Sequence, residues 1–146
     1  MSYKIASNEL GSAVGNILLQ YTADVQAGVI QLTDETAEKL KKYIQNGAPV
    51  DWRRVKRRGK YKRSWRAKTT KDTFAVYEKT VYAGGGEYRL THLLEKGHRT
   101  RSGGKTKAQA HIAPAAERIT KEYVKGISEI VRRSSQSGGG QRKYKR

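Results

Sequence analysis

Ser64-Trp65-Arg66-Ala67-Lys68-Thr69 and Thr73-Phe74-Ala75-Val76-Tyr77-Glu78-Lys79 alternate in polarity, the second run continuing to Tyr82. A period of two sends neighbouring side chains to opposite faces of an extended chain, the pattern of a half-buried strand. Lys71-Asp72 between the runs reads as the turn of a hairpin. Helical periods flank this hairpin on both sides. Upstream, Leu10, Val14, Ile17, Tyr21, Val25, Val29, Leu32, Thr36, Leu40 and Tyr43 recur at steps of three and four, one stripe on one helix face. Ser7 or Asn8 caps its start, and Asn46-Gly47 ahead of Pro49 ends it. Downstream, Tyr88, Leu90, Leu93 and Leu94 predict a short helix stopping at Gly97. Ala115, Ile119, Tyr123, Ile127 and Ile130 form the apolar face of a last helix that opens at Pro114 and ends near Arg133. The fold class is therefore α+β: a long N-terminal helix and a C-terminal helix packed on a small antiparallel β-sheet.

Gly11, Gly15 and Gly28 each weaken the first helix by about 1 kcal/mol relative to Ala, which makes a break near residues 20–22 an alternative. Unbroken, it is about 55–60 Å long, more than a small domain is wide, and part of its stripe is expected to pack on another subunit. A helix broken and folded back on itself is the competing arrangement. Gly84-Gly85-Gly86 interrupts the chain after the hairpin, Ser102-Gly103-Gly104-Lys105 reads as a flexible loop, and His111-Ile112 as a further strand.

The chain has 146 residues, and one domain is expected: residues 1–133, with 50–71 as a basic hairpin and loop region, followed by a flexible basic tail at 134–146. Without cysteine it has no disulfide, thiolate metal site or cysteine nucleophile. The N-terminus lacks the pattern of a signal peptide, and the longest aliphatic run, Ile17-Leu18-Leu19, is far too short to span a bilayer. No membrane role is expected, and synthesis in the cytosol is.

The net charge is +18, and its distribution is uneven. Residues 51–72 hold eleven cations and two acids, residues 98–107 a further four cations, and residues 132–146 six, so these three segments carry +19 and the remainder −1. Cations concentrated in this way favour a polyanion or an acidic protein surface. The candidate contacts are Arg53, Arg54, Lys56, Arg57, Arg58, Lys60, Lys62 and Arg63, then Arg99, Arg101, Lys105 and Lys107. Trp52, Tyr61 and Trp65 interleave with the first group, either as part of a polyanion or acidic-partner contact or as ordinary strand anchors. Solvated loops are the alternative for all of these segments.

His92, His98 and His111 fall within twenty residues, with Glu95 between the first two. Imidazole and carboxylate are zinc ligands, yet the spacing is not that of two histidines four apart on a helix. Hydrogen-bonded structural histidines account for them better than a metal site. A nuclease using His92, Glu95 and His98 lacks the converging carboxylates that hold a catalytic cation. No catalytic residue, metal site or cofactor is assigned, and the chain is not expected to be an enzyme.

Tyr88-Arg89-Leu90-Thr91-His92-Leu93-Leu94-Glu95-Lys96-Gly97-His98, then Gly103-Gly104 and His111-Ile112-Ala113-Pro114-Ala115-Ala116-Glu117, resembles the signature of the head–tail joining (neck, or minor tail component) family of long-tailed bacteriophages. Gly59-Lys60-Tyr61-Lys62-Arg63-Ser64-Trp65 is similar to a second segment of that family, and the likeness runs from about residue 8 to 133. Residues 50–58 depart from it, being longer and more basic than the family's link. The resemblance implies a virion structural protein of the head–tail connector: a ring of six or twelve copies joining the filled capsid to the tail, with DNA passing through. The implied partners are further copies of the chain, portal- or adaptor-side and tail-side phage proteins, and that DNA. The implied location is the neck of the virion, and the host cytoplasm during assembly. Within the motif, His92, Leu93, Leu94, Glu95, Gly97, His98, His111 and Pro114 are expected to serve structure and interfaces. A free, non-specific nucleic-acid-binding protein is the alternative function.

Overall fold

The computed structural model describes residues 7–51, 55–73 and 75–137. In chain order the elements are α1 (Ser7–Gly47), a 3-10 turn (Val55–Arg57), α2 (Lys60–Arg63), β1 (Trp65–Asp72), β2 (Tyr77–Ala83), α3 (Tyr88–Lys96) and α4 (Ile112–Ser137). Among the described residues, two long helices, two short ones and one antiparallel pair of strands make the α+β architecture expected from the periodicities. The first helix is continuous for 41 residues, about 60 Å, with no break near residue 20. Its glycines lower its intrinsic propensity without interrupting the backbone hydrogen bonds.

The hairpin differs from its predicted form at the turn. Lys71 and Asp72 belong to β1, opposite Glu78 and Tyr77, and the register shifts between Thr69 and Lys71. One extra residue, Thr70, is accommodated there as a bulge, with its hydroxyl 2.8 Å from that of Thr80. The turn comes later, where the Thr73 hydroxyl accepts from the Val76 N–H at 3.0 Å and the Thr73 N–H donates to the Val76 carbonyl. Phe74 lies outside the described residues.

Two units are distinguished along the chain: residues 33–123, and residues 1–32 with 124–146. In the first, Ile44, Ala48, Tyr61, Trp65, Ala83 and Ala115 form the buried core, with Leu40, Tyr43, Val81, Leu94 and Ile112 packed against it. The α-helices and both strands of that unit contribute to this core. Asp34 on α1 ties down β2: the Tyr77 hydroxyl donates to its carboxylate at 2.6 Å and the Lys79 ammonium lies at 2.7 Å. Those two partners hold the Asp34 carboxyl below its ordinary range.

In the second unit, the N-terminal part of α1 packs on the C-terminal part of α4 through reciprocal close approaches. A Cβ on Gly28 would lie 2.9 Å from the Ile130 side chain, and one on Gly126 would lie 2.8 Å from Leu32. Ser134, in the same stretch of α4, is buried. The last helix runs to Ser137, beyond the expected end at Arg133, and residues 138–146 of the proposed tail lie outside the described residues.

Candidate functional site

Glu95, in the last turn of α3, reaches the first turn of α4. Its Oε2 accepts the backbone N–H groups of His111 and Ile112, each at 3.0 Å, and its Oε1 accepts that of Ala113 at 2.8 Å. The first four N–H groups of a helix have no partner within it. Three of those at α4 are taken by this carboxylate, and the fourth position is Pro114, which has no N–H. One acidic side chain from another helix therefore completes the whole end. Burial opposes the charge on Glu95, but the N–H groups of His111, Ala113 and Ile112 outweigh it and hold the carboxyl below its ordinary value.

His111 is not in a strand, as expected from the sequence, but immediately precedes α4, with only 3% of its surface exposed. The remote capping by Glu95 is what turns this apolar-looking segment into a helix start. The His111 Nδ1 lies 2.8 Å from the Gln109 carbonyl and 3.2 Å from Glu95 Oε2, both acceptors, so Nδ1 carries the proton. Nε2 then accepts from the Tyr61 hydroxyl at 2.8 Å. Tyr61, Trp65 and His111 meet edge to face, with ring centroids 5.5–6.4 Å apart. Burial, with the nearby Glu95 charge, pushes the Tyr61 hydroxyl up to about 12. Tyr61 and Trp65 are thus core anchors and unavailable for stacking on a nucleic acid, while Trp52 lies outside the described residues.

Gly97 ends α3 at φ +70°, and a Cβ there would sit 2.5 Å from the Thr106 carbonyl oxygen. Beyond it the expected flexible loop is a hydrogen-bonded arm. His98 and Thr106 exchange bonds, with His98 N–H to Thr106 Oγ1 and Thr106 N–H to the His98 carbonyl, each at 2.8 Å. Arg99 bridges Lys105, and the Thr100 N–H donates to the Gly104 carbonyl at 2.7 Å. The short turn permitted by the two glycines is fastened by threonine side chains, a signal that glycine content alone obscures. Arg99, Arg101, Lys105 and Lys107 are all exposed on or beside this arm.

The other basic segment is not one loop. Lys56, Arg57 and Arg58 are exposed around the 3-10 turn, Gly59 turns the chain at φ +66°, and α2 carries Lys60, Lys62 and Arg63 on either side of buried Tyr61. Lys60 pairs with Glu87 at 3.1 Å, Lys62 is half-buried and Arg63 is exposed. Arg53 and Arg54 lie outside the described residues. A cavity of about 450 Å³ adjoins this segment, with Val50, Arg57, Lys60, Tyr61, Leu90 and Leu94 in its wall.

The histidines and Glu95 do not form one constellation. His92 is exposed on α3, His98 is held by Thr106, and His111 is closed within the core. Both Glu95 oxygens are engaged by backbone donors. Among the described residues, no group of three His, Asp or Glu side chains is arranged to hold a metal ion. Of the motif residues, Glu95, Gly97, His98, His111 and Pro114 form the joint between α3, the arm and α4, and Leu94 packs against the core while Leu93 is half-buried. Tyr61, Gln109 and Thr106 complete that joint, and of these only Tyr61 stood out in the sequence, as an aromatic interleaved with the cations. Among the described residues, no helix is long and apolar enough to cross a membrane.

Residues 16–97 match the sequence model of the HK97-gp10-like family, whose description assigns bacteriophage HK97-gp10 as a tail component. No curated protein and no solved structure matches the chain.

Proposed function

The chain belongs to the HK97-gp10-like family of bacteriophage tail components, and from this we propose that it is a ring-forming part of the connector between head and tail. The family gives it a virion location and phage proteins as partners. The observation that supports a connector role is the 98–106 arm. It is bonded across its base, anchored by Gly97 to the joint of α3 and α4, and carries exposed cations. Such an arm presents positive charge at a fixed place, which suits a DNA channel or the acidic face of a neighbouring ring. Both oxygens of Glu95 are spent on a helix end, and this favours a role in shape and assembly over catalysis. Six or twelve copies are the expected ring sizes.

Particles from a phage lacking the gene, viewed by electron microscopy, test this reading. Filled heads without attached tails are expected. Tailed, infectious particles of normal form would overturn it. Free binding to nucleic acid is the second reading, favoured by the exposed cations of both basic segments. It predicts DNA affinity of the purified chain that falls steeply with salt.

A further inference from the structure

Within the unit made by the N-terminal part of α1 and the C-terminal part of α4, two apolar surfaces are exposed among the described residues. The facing pairs Gly28 with Ile130 and Leu32 with Gly126 set an antiparallel register, in which Ser137 falls opposite about Tyr21. The stripe of Tyr21, Val25 and Gly28 continues along α1 past that point to Leu18, Ile17 and Val14, which are 59%, 53% and 47% exposed. Residues 138–146 contain four cations and no aliphatic side chain. The second surface is a ridge on α4: Val124, 59% exposed, then Ser128, Val131, 41% exposed, and Ser135. The Ser128 hydroxyl donates to the Val124 carbonyl and that of Ser135 to the Arg132 carbonyl. Burying the ridge therefore strands no hydroxyl.

We propose that α1 residues 14–18 of one copy pack on the Val124–Ser135 ridge of α4 in the next copy. Each chain then offers one surface and receives the other. Residues 11–23 hold no charged side chain, nor do the four ridge positions, in a chain of net charge +18. These two surfaces can approach without bringing like charges together. A stripe-on-stripe contact would leave the ridge bare, whereas the head-to-tail contact covers both. Contacts of this kind close into a ring when the rotation between copies allows, so the inference rests on the ring reading above and supplies its interface.

The absence of cysteine makes the test direct. A chain carrying Leu18→Cys and Val131→Cys is oxidised in solution and run on a denaturing gel without reductant. Within one copy Val131 faces about Ala27, so the two thiols lie about 13 Å apart along the helices, beyond the reach of a disulfide. A ladder of covalent multimers is expected from the double variant, with Leu18→Cys alone remaining monomeric. Covalent dimers from Leu18→Cys alone would overturn the proposal in favour of stripe-on-stripe pairing. Sedimentation of the unsubstituted chain reads assembly separately. Oligomers without a ladder would overturn this interface and leave the ring reading standing, and monomers without a ladder would count against both.

Discussion

Glu95 and His111, sixteen residues apart, are joined twice: a Glu95 oxygen lies 3.0 Å from the backbone nitrogen of His111 and 3.2 Å from its Nδ1. The same carboxylate thus starts a helix and fixes the tautomer of the histidine in front of it. The interaction couples α3 to α4 through backbone as well as side chain.

Glu95→Ala removes the acceptor for three N–H groups at once and is expected to destabilise the fold by about 2–4 kcal/mol, read by urea unfolding. Glu95→Gln keeps one amide oxygen but loses the charge, with an expected loss about half as large. A loss below about 0.5 kcal/mol in Glu95→Ala would show that the contacts are dispensable.

The pH dependence follows from the depressed Glu95 carboxyl. A carboxyl held below its ordinary value of 4.5 contributes stability that is fully present above pH 4.5 and is lost as pH falls through its folded value. Unfolding curves of the unsubstituted chain should shift to lower urea on acidification in that window. The Glu95→Gln chain should show a smaller shift, and identical slopes would contradict the assignment.

At the alkaline end, one of nine tyrosines, Tyr61, is pushed up to about 12. Its raised value means stability fully present below pH 10 and lost as pH rises towards 12. Phenolate absorbance should therefore show a late-titrating component that disappears in Tyr61→Phe. That substitution also strips His111 Nε2 of its donor, at an expected cost of about 1–2 kcal/mol.

Gly97→Ala places a methyl group 2.5 Å from the Thr106 carbonyl at a backbone angle that favours glycine. A loss of about 2–3 kcal/mol is expected in thermal or urea unfolding. An Ala variant as stable as the parent would mean the chain reversal relaxes freely.

Replacing Arg99, Arg101, Lys105 and Lys107 together by Gln should leave stability within about 1 kcal/mol, since all four are exposed. Head–tail joining in complemented phage, or DNA binding at low salt, should fall. Unchanged joining and binding would remove the arm from both functional readings.

Local signals explain which elements were legible. Asn46-Gly47 ends α1 and Gly97 ends α3, because termination acts within a turn of the chain. The hairpin turn was misplaced because the bulge at Thr70 absorbs a residue that alternation cannot show. His111-Ile112 read as a strand because the acceptor that makes it a helix start, Glu95, comes from another helix. Similarly, Tyr61 and Trp65 looked available to a nucleic acid among so many cations, and only tertiary packing reveals that they close over His111.

The exchange of glycines across the two long helices has a mechanical consequence. Gly28 receives Ile130 while Gly126 receives Leu32, so each rod carries one notch and one tooth. Sliding either rod by a turn would set Leu32 against Ile130 in one direction, and Gly28 against Gly126 across a void in the other. The pair has a single engaged position, and an axial push on one rod is handed to the other without slip.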